Sequence, residues 1–139
     1  MGIFKNIDEA REYFKKEQFA TAAGMKLDEL TDEYAVCSVD LRETHKNALG
    51  SVMGGAIFTL ADFAFAALVN NLHRPTVAQQ VSINFLSIPK GSKMFAKAVC
   101  KKNGRNTAVV NVDVYDENRN DIAFFTGTGF KLQITDPKA

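Results

Sequence analysis

The longest apolar run of the chain lies between residues 54 and 70, where only Thr59 and Asp62 interrupt the hydrophobic side chains before Asn70. A helix that is apolar on nearly all sides is normally enclosed by the rest of its fold. The Gly54-Gly55 pair stands at the start of the run and marks the turn into the helix. The pattern therefore predicts a long central helix that carries one carboxylate, Asp62, within its apolar surface.

Alternating polar and apolar residues flank this helix and predict strands. Before the helix, residues 33–41 alternate, with Ala35, Cys37 and Val39 on one face, which is typical of a half-buried strand. After it, Asn103-Gly104 is a strong signal for a tight hairpin turn. Four further strands are predicted there, over residues 77–88, 93–102, 107–115 and 122–134.

Two finer expectations concern the last strands. In residues 77–88 the alternation puts Val77, Val81, Ile83 and Phe85 on one face. In residues 122–134, glycines at 127 and 129 indicate either a bulge or a close approach of another part of the chain.

The pattern of residues 6–24 predicts a single amphipathic helix. Asn6 followed by Glu9 resembles a capping box, and Gly24 can end the element. The predicted order is therefore helix, strand, long helix and four strands, which is an α+β fold with a largely antiparallel sheet curled around the long helix. We expect one domain over residues 1–139, with 1–24 as an N-terminal helix and 25–139 as the core. Five strands cannot wrap a helix fully, so a second subunit is expected to cover the remainder.

Composition and charge exclude several classes of function. A net charge of +1 without clustered Lys or Arg gives no reason to expect a nucleic acid partner. The N-terminus lacks a signal-peptide core, and the apolar run is short for a membrane span, so we expect a cytoplasmic protein without membrane contact. Two widely separated cysteines and two histidines predict no metal site, and no cofactor is expected.

The start of the long helix is the candidate site for chemistry. The first N–H groups of a helix lack intrahelical partners, and with the helix dipole they favour an anion or a polarised carbonyl oxygen. Asn47 lies seven residues before Gly54, and Asp62 lies two helical turns after it. That separation is about 12 Å along the axis, too far for a shared reaction centre within one chain. If two subunits paired these helices antiparallel, each Asp62 would approach the other subunit's Gly54.

Structural roles remain open for each of these residues. Asp62 could simply accept hydrogen bonds from the backbone or from a neighbouring hydroxyl such as that of Thr59. A tight turn alone would account for Gly54 and Gly55, and His45 could be an ordinary loop residue.

The spacing of these residues resembles the helix-entry motif of hotdog-fold acyl-CoA thioesterases, in particular the phenylacetate-degradation branch. The resemblance extends over roughly residues 30–132 and includes the segments INFLSIPKG and KNGRNTAVVNVDVYDENRND. The matching motif positions are His45, Asn47, Gly50, Met53, Gly54, Gly55, Leu60 and Asp62.

The resemblance implies a role for each main residue. Asp62 would activate water or attack the thioester carbon directly, the Gly54 N–H would polarise the thioester carbonyl, and Asn47 would help to position water or substrate. In this family the aspartate and the glycine come from different subunits of a dimer, which usually pairs into a tetramer.

Two positions depart from the family pattern. Met53 replaces the histidine that normally precedes the glycine pair. Some relatives hold the water with a Ser or Thr near the start of the next strand, and here either Thr76 takes that role or the group is absent. Met53, Thr76, Gly55 and His45 are expected to bind substrate, and Arg105 lies in a polar turn where a CoA phosphate could bind.

The sequence therefore predicts an acyl-CoA thioesterase that acts on aryl or short- to medium-chain acyl groups. A non-catalytic acyl-CoA-binding protein is the main alternative, and Met53 favours it. A hotdog dehydratase ranks lower, because that chemistry usually needs a catalytic histidine, and Met53 occupies the natural position.

Overall fold

The computed structural model describes residues 2–133, in which six antiparallel strands curve around one long helix. The helices are α1 (Ile7–Phe14), α2 (Gln18–Ala22) and α3 (Gly54–Leu72), with a 3-10 turn at Glu43–His45. The strands are β1 (Lys26–Leu30), β2 (Tyr34–Asp40), β3 (Thr76–Phe85), β4 (Lys93–Asn103), β5 (Thr107–Asp116) and β6 (Asp121–Lys131).

The sheet order is β1-β2-β4-β5-β6-β3, and every neighbouring pair is antiparallel. Short hairpins join β4, β5 and β6, and the predicted turn closes with the Gly104 N–H donating to the Thr107 carbonyl at 2.8 Å. Helix α3 connects β2 to β3, which lies at the far edge of the sheet. This arrangement confirms the predicted hotdog fold.

The core lies between α3 and the concave face of the sheet. Residues of α3 such as Leu60, Ala64 and Leu68 are fully buried against inward-facing valines of β5. Each large aliphatic side chain buried in this way contributes about 1.5–3 kcal/mol relative to exposure. By length and composition α3 could cross a membrane, but the sheet and the N-terminal helices bury most of it, as expected of a core helix.

Glycines in β6 allow α3 to approach the sheet closely. A Cβ atom placed on Gly127 would stand 3.0 Å from the Phe65 ring, and one on Gly129 would stand 3.3 Å from the same ring. The predicted close approach at these two glycines is therefore confirmed.

The N-terminal segment differs from the single helix that its pattern predicts. It forms two helices, because Glu17 has a non-helical backbone (φ −74°, ψ 80°). The bend lets Phe14 and Ala20 both reach the core although they lie on separate helices. The sequence pattern did not predict β1, since Asp28 and Glu29 interrupt its alternation and a bulge lies between Leu27 and Glu29.

Strand β3 also differs from its predicted facing. Val81 and Ile83 pack against the core as expected, but a bulge between Ala78 and Gln80 reverses the alternation, so Val77 lies on the outer face beside Phe130. Val77 is 45% exposed. The expectation that Val77 shares a face with Val81 was therefore wrong. The last residue of the predicted final strand, Ile134, lies outside the described residues.

Candidate active site

One narrow stripe of α3 remains accessible while its other faces are buried. The stripe follows the helical repeat of three to four residues, which keeps its members on one side of the helix. Its members are Gly55, Phe58, Thr59, Asp62 and Ala66.

Asp62 is the carboxylate of this stripe, and it is only partly exposed. Burial raises its pKa above the ordinary value, and the negative charge of Glu17 raises it further. Within residues 2–133 the Asp62 side chain accepts no hydrogen bond. The Thr59 hydroxyl, one of the alternatives for holding it, instead donates to the Gly55 carbonyl at 2.7 Å. A partly buried carboxylate without an internal partner is available to bind or activate another molecule.

The start of α3 presents unpaired N–H groups. Met53 is the N-cap residue and its side chain makes no capping hydrogen bond, while its carbonyl accepts from the N–H groups of Ala56 and Ile57. Among the described residues, the N–H groups of Gly54 and Gly55 have no acceptor. Together with the positive end of the helix dipole, these N–H groups can bind an anion or a polarised carbonyl oxygen.

An open apolar groove of about 380 Å³ borders Gly54. A Cβ atom on Gly54 would stand 3.2 Å from the Phe85 ring, so glycine is needed for the ring to lie this close. Phe85, Leu86 and Ile88 are each more than half exposed. The groove is lined by Val52, Gly54, Ile57, Phe85, Leu86, Ser87, Ile88 and Pro89.

Asn47 shapes the loop that leads into α3. Its side-chain carbonyl accepts the N–H groups of Leu49 at 3.0 Å and Ser51 at 3.1 Å, and its backbone N–H donates to the Ser51 carbonyl at 2.8 Å. The side-chain amide nitrogen has no partner within residues 2–133. It is therefore the group through which Asn47 could reach a ligand.

His45 anchors the other end of the same loop. The ring is buried; Nδ1 accepts from the Arg42 backbone N–H at 3.1 Å, and Nε2 donates to the Ala23 carbonyl at 2.8 Å. The His45 carbonyl also accepts from the Met53 N–H at 2.8 Å. With both ring nitrogens engaged, His45 has the loop role that the sequence also allowed.

Met53 and the glycine pair lie together at one end of α3, whereas Thr76 and Arg105 lie at the other end. The Met53 side chain lies over Gly55, and its terminal carbon is 3.0 Å from the position of a Cβ on that glycine. The Thr76 hydroxyl donates to the His73 carbonyl, and Arg105 is exposed in the β4–β5 turn. Within one chain, neither residue approaches Gly54, and Asp62 stands between the two ends.

The sequence did not predict two features of this region. The pattern predicts a strand over residues 77–88 and a turn from Pro89, but it does not predict the groove that these residues line. Glu17, whose charge acts on Asp62, gives no signal in the local sequence. Within residues 2–133, no group of three or more His, Cys, Asp or Glu side chains is arranged to hold a metal ion.

Comparison with known proteins relates this geometry to a family. The thioesterase superfamily matches residues 49–123, more than half of the 139-residue chain. The acyl-coenzyme A thioesterase PaaI of Escherichia coli is 26% identical over 124 residues, covering 88% of this chain and 89% of that protein.

Two solved structures have the same fold. The E. coli PaaI protein from the phenylacetic acid degradation operon superposes with a TM-score of 0.84 at 25% identity, over 89% of this chain and 91% of that one. A hypothetical thioesterase protein with coenzyme A from Streptococcus pneumoniae has a TM-score of 0.80 at 27% identity, over 88% and 99% of the two chains. The chain thus belongs to the thioesterase superfamily and is a thioester hydrolase with the hotdog fold.

Proposed function

We propose that the protein hydrolyses acyl-CoA thioesters at a site made by Asp62 of one subunit and Gly54 of another. The observation that carries the proposal is the Asp62 carboxylate, which is partly buried, has a raised pKa and has no hydrogen-bond partner within residues 2–133. The similarity to an acyl-CoA thioesterase and to a coenzyme A-containing structure supports acyl-CoA as the substrate class.

The open edge of β3 supports the sharing of the site. Strand β3 is ten residues long and contacts α3, and within residues 2–133 it pairs with β6 alone. A long unpaired edge strand is a template for another strand. If two copies join their β3 edges antiparallel about a two-fold axis, the Thr76 end of one strand lies beside Phe85 of the other.

That pairing would complete the site. It would move Asp62 of the second subunit toward Gly54 of the first, and it would bring the Thr76 and Arg105 end toward the groove. Thr76 would then support the site through the backbone, and Arg105 would be placed to meet a CoA phosphate. Two such dimers would pair into the expected tetramer.

The reaction follows from these positions. The thioester carbonyl oxygen accepts the Gly54 N–H, and the free amide nitrogen of Asn47 donates to the attacking water or to the substrate. Asp62 takes a proton from the water as its oxygen attacks the carbonyl carbon. The oxyanion that forms is stabilised by the Gly54 N–H, and a single donor of this kind is worth about 3 kcal/mol. When the carbon–sulfur bond breaks, Asp62 returns the proton to the thiolate, which leaves free acid and CoA.

The groove defines the kind of acyl-CoA that we expect. Its lining is apolar, open and of about 380 Å³, with Phe85 and Ile88 exposed to a ligand. Such a surface suits an aryl or a short- to medium-chain acyl group together with the apolar part of the CoA arm.

The first test measures thiol release from a panel of acyl-CoA esters by wild type, Asp62→Ala and Asp62→Asn. We expect both variants to lose activity by 100-fold or more (on the order of one general-base contribution) while the oligomer stays intact. Asp8→Asn on the exposed side of α1 is the matched control. If wild type binds an ester but releases no thiol from any of them, the protein is an acyl-CoA binder instead.

A second test addresses the sharing of the site. Asp62→Asn and Gly54→Pro are each inactive by this proposal, but a hybrid dimer places both lesions in one site and leaves the other site intact. Random pairing of equal amounts would restore about a quarter of the wild-type sites. No recovery after subunit exchange would place both residues in a single subunit's site and overturn the arrangement.

A further inference from the structure

We propose that Glu117 is a positioning residue for substrate binding, because its carboxylate fixes the loop that forms one wall of the groove at Gly54. This β3–β4 loop comprises residues 86–92, and residues 86–89 line the groove. The inference rests on the proposed function, in which the groove holds the acyl group and the apolar part of the CoA arm. It concerns a residue of the β5–β6 turn, which lies outside the groove.

The β3–β4 loop contributes no side chain to the hydrophobic core. None of residues 86–92 is buried, and Leu86 and Ile88 are 57% and 60% exposed. A segment without buried apolar contacts is not held by packing, so hydrogen bonds have to fix its position. The bonds at its two ends therefore determine where the groove wall lies.

The first end of the loop is bonded to the start of β6. The Leu86 N–H donates to the Ile122 carbonyl at 2.8 Å, and the Ser87 hydroxyl donates to the Asp121 carbonyl at 2.6 Å. These bonds continue the pairing of β3 with β6 and reach as far as residue 87. Ile88 and Pro89, which also line the groove, follow directly after them.

Glu117 binds the other end of the loop. Its Oε1 accepts the N–H groups of Ser92 at 2.6 Å and Lys93 at 2.9 Å, and its Oε2 accepts the Ser92 hydroxyl at 2.9 Å. Hydrogen bonds to a carboxylate are stronger than those between neutral groups. The Ser92 hydroxyl, followed by the Lys93 N–H, lowers the pKa of Glu117, so the carboxylate stays ionised at neutral pH.

The turn that carries Glu117 has hydrogen bonds of its own. The neighbouring Asp116 is buried, and its side chain accepts the N–H groups of Asn118 at 2.9 Å and Asn120 at 3.0 Å. The Asp116 N–H also donates to the Asn120 carbonyl at 3.2 Å. The Glu117 carboxylate thus joins the loop to a turn whose conformation is fixed independently.

The carboxylate approaches the loop so closely that residue 91 has to be glycine. A Cβ atom placed on Gly91 would stand 1.9 Å from Glu117 Oε1, far inside van der Waals contact. Gly91 does not have a positive φ, so alanine fits the backbone there. Gly91→Ala should therefore displace the carboxylate without a change in net charge, which gives a second way to break the contact.

Loss of the contact should weaken substrate binding more than it slows the reaction. The proposed reacting groups, the Asp62 carboxylate and the Gly54 N–H, belong to α3, which the core holds in place. A change in binding that is equal in ground state and transition state alters KM and leaves kcat unchanged. A loosened wall should also discriminate less between acyl groups of different length.

The experiment measures kcat and KM for acyl-CoA esters of increasing chain length with wild type, Glu117→Gln and Gly91→Ala. Both variants should raise KM for the preferred ester about tenfold, the equivalent of one hydrogen bond to a charged group, with kcat within about twofold of wild type. The preference for one chain length over the next should shrink in both. Urea titrations should show wild-type midpoints, because the loop buries no core side chain.

Glu33→Gln is the matched control, because it makes the same change in net charge as Glu117→Gln at an exposed position between β1 and β2. Its kinetic constants should equal those of wild type. An unchanged KM in Glu117→Gln, a loss confined to kcat, or wild-type behaviour of Gly91→Ala would overturn the proposal. An equal rise of KM in Glu33→Gln would do the same.

Direct binding separates this inference from the proposed function. Calorimetric titration of the whole protein with S-hexyl-CoA, a thioether that cannot be hydrolysed, measures affinity without reaction. A wild type that binds the thioether but releases no thiol from any ester would refute hydrolysis alone. Equal affinities of wild type and Glu117→Gln for the thioether would refute the role of Glu117 alone. A wild type that binds neither thioether nor ester would refute both.

Discussion

Asp62 is a residue for which stability and reactivity are opposed. Its partly buried carboxylate has no hydrogen-bond partner among the described residues, and its raised pKa means that the fold disfavours the ionised form. A neutral side chain of the same shape avoids that penalty. Residues of this kind are retained for chemistry at a cost in free energy of unfolding.

We therefore expect Asp62→Asn to be more stable than wild type at neutral pH, although it is inactive. Because the folded pKa exceeds the unfolded value near 3.8, the folded protein binds the proton more tightly in the window between them. The stability of wild type should thus approach that of the variant as pH falls through this window. Denaturant titrations at fixed protein concentration, from about pH 3.5 to about pH 7, measure the difference in free energy of unfolding. Equal free energies of unfolding for wild type and Asp62→Asn at neutral pH would contradict the prediction.

The N–H donor of Gly54 can be removed without breaking the helix, because Gly54 is the first residue of α3. Proline is well tolerated at that position, and the extended backbone of Met53 (φ −72°, ψ 148°) suits a following proline. Gly54→Pro removes the N–H donor and should lower kcat by about 10²–10³-fold with the helix intact.

Gly54→Ala is the matched control for this prediction. It keeps the N–H while its Cβ makes the same close contact with Phe85, 3.2 Å from the ring. Activity retained in the alanine variant and lost in the proline variant would assign the effect to the donor. Equal losses in both would assign it to crowding at Phe85.

At the scale of elements, the proposed site would depend on pairing at the outer edge of β3, which has no strand partner within residues 2–133. Gln80 and Ser82 are exposed and lie on its outer face, opposite Thr128 and Thr126 of β6. Lysines on an edge strand oppose pairing with a second copy, because like charges then face each other.

The double variant Gln80→Lys, Ser82→Lys should therefore shift the protein toward monomers and remove most activity while the circular dichroism spectrum stays the same. Sedimentation velocity and thiol release measure the two effects together. Gln80→Thr, Ser82→Thr keeps strand propensity without charge and serves as the control. An active monomer would show that the site does not need a β3 pair.

The contact of the N-terminal helices with α3 depends on Phe14. Its ring lies within 5.1–5.9 Å, between centroids, of the rings of Phe4, Tyr13 and Phe63. Phe14→Ala should reduce the free energy of unfolding by about 3–5 kcal/mol, as for other buried phenylalanines. Phe14→Leu fills more of the space and should cost less. Urea denaturation of the three proteins gives the comparison.

Periodic patterns predicted most elements correctly, and the exceptions have physical reasons. Alternation is strong in the strands that bury one face, which are β2, β4, β5 and β6. The apolar run of α3 is strong because most of the helix is buried. Strand β1 has only five residues with two adjacent acids, so burial of Leu27 leaves little pattern. A one-residue bulge in β3 and a bend at Glu17 change the facing of side chains without changing composition.

At the scale of the whole molecule, the sequence locates the candidate site residues along the chain but not the surroundings that the fold gives them. The glycine pair and Asp62 follow from spacing along one helix, and the loop residues His45 and Asn47 from their place before it. The charge of Glu17 acts on Asp62, which lies 45 residues later in the chain, and the groove at Phe85 depends on the end of β3. Local patterns do not encode such contacts.

The free β3 edge also has a consequence for how the protein would behave in a cell. A centre built from two chains exists only in the paired fraction, so catalytic output per chain rises with abundance until pairing is complete. Below the dissociation constant, halving the amount of protein would reduce output about fourfold, because paired chains vary with the square of free chains. The rate of synthesis would then control hydrolysis more steeply than in proportion to the amount of protein, and the strength of pairing along the ten residues of β3 would set the concentration at which this occurs.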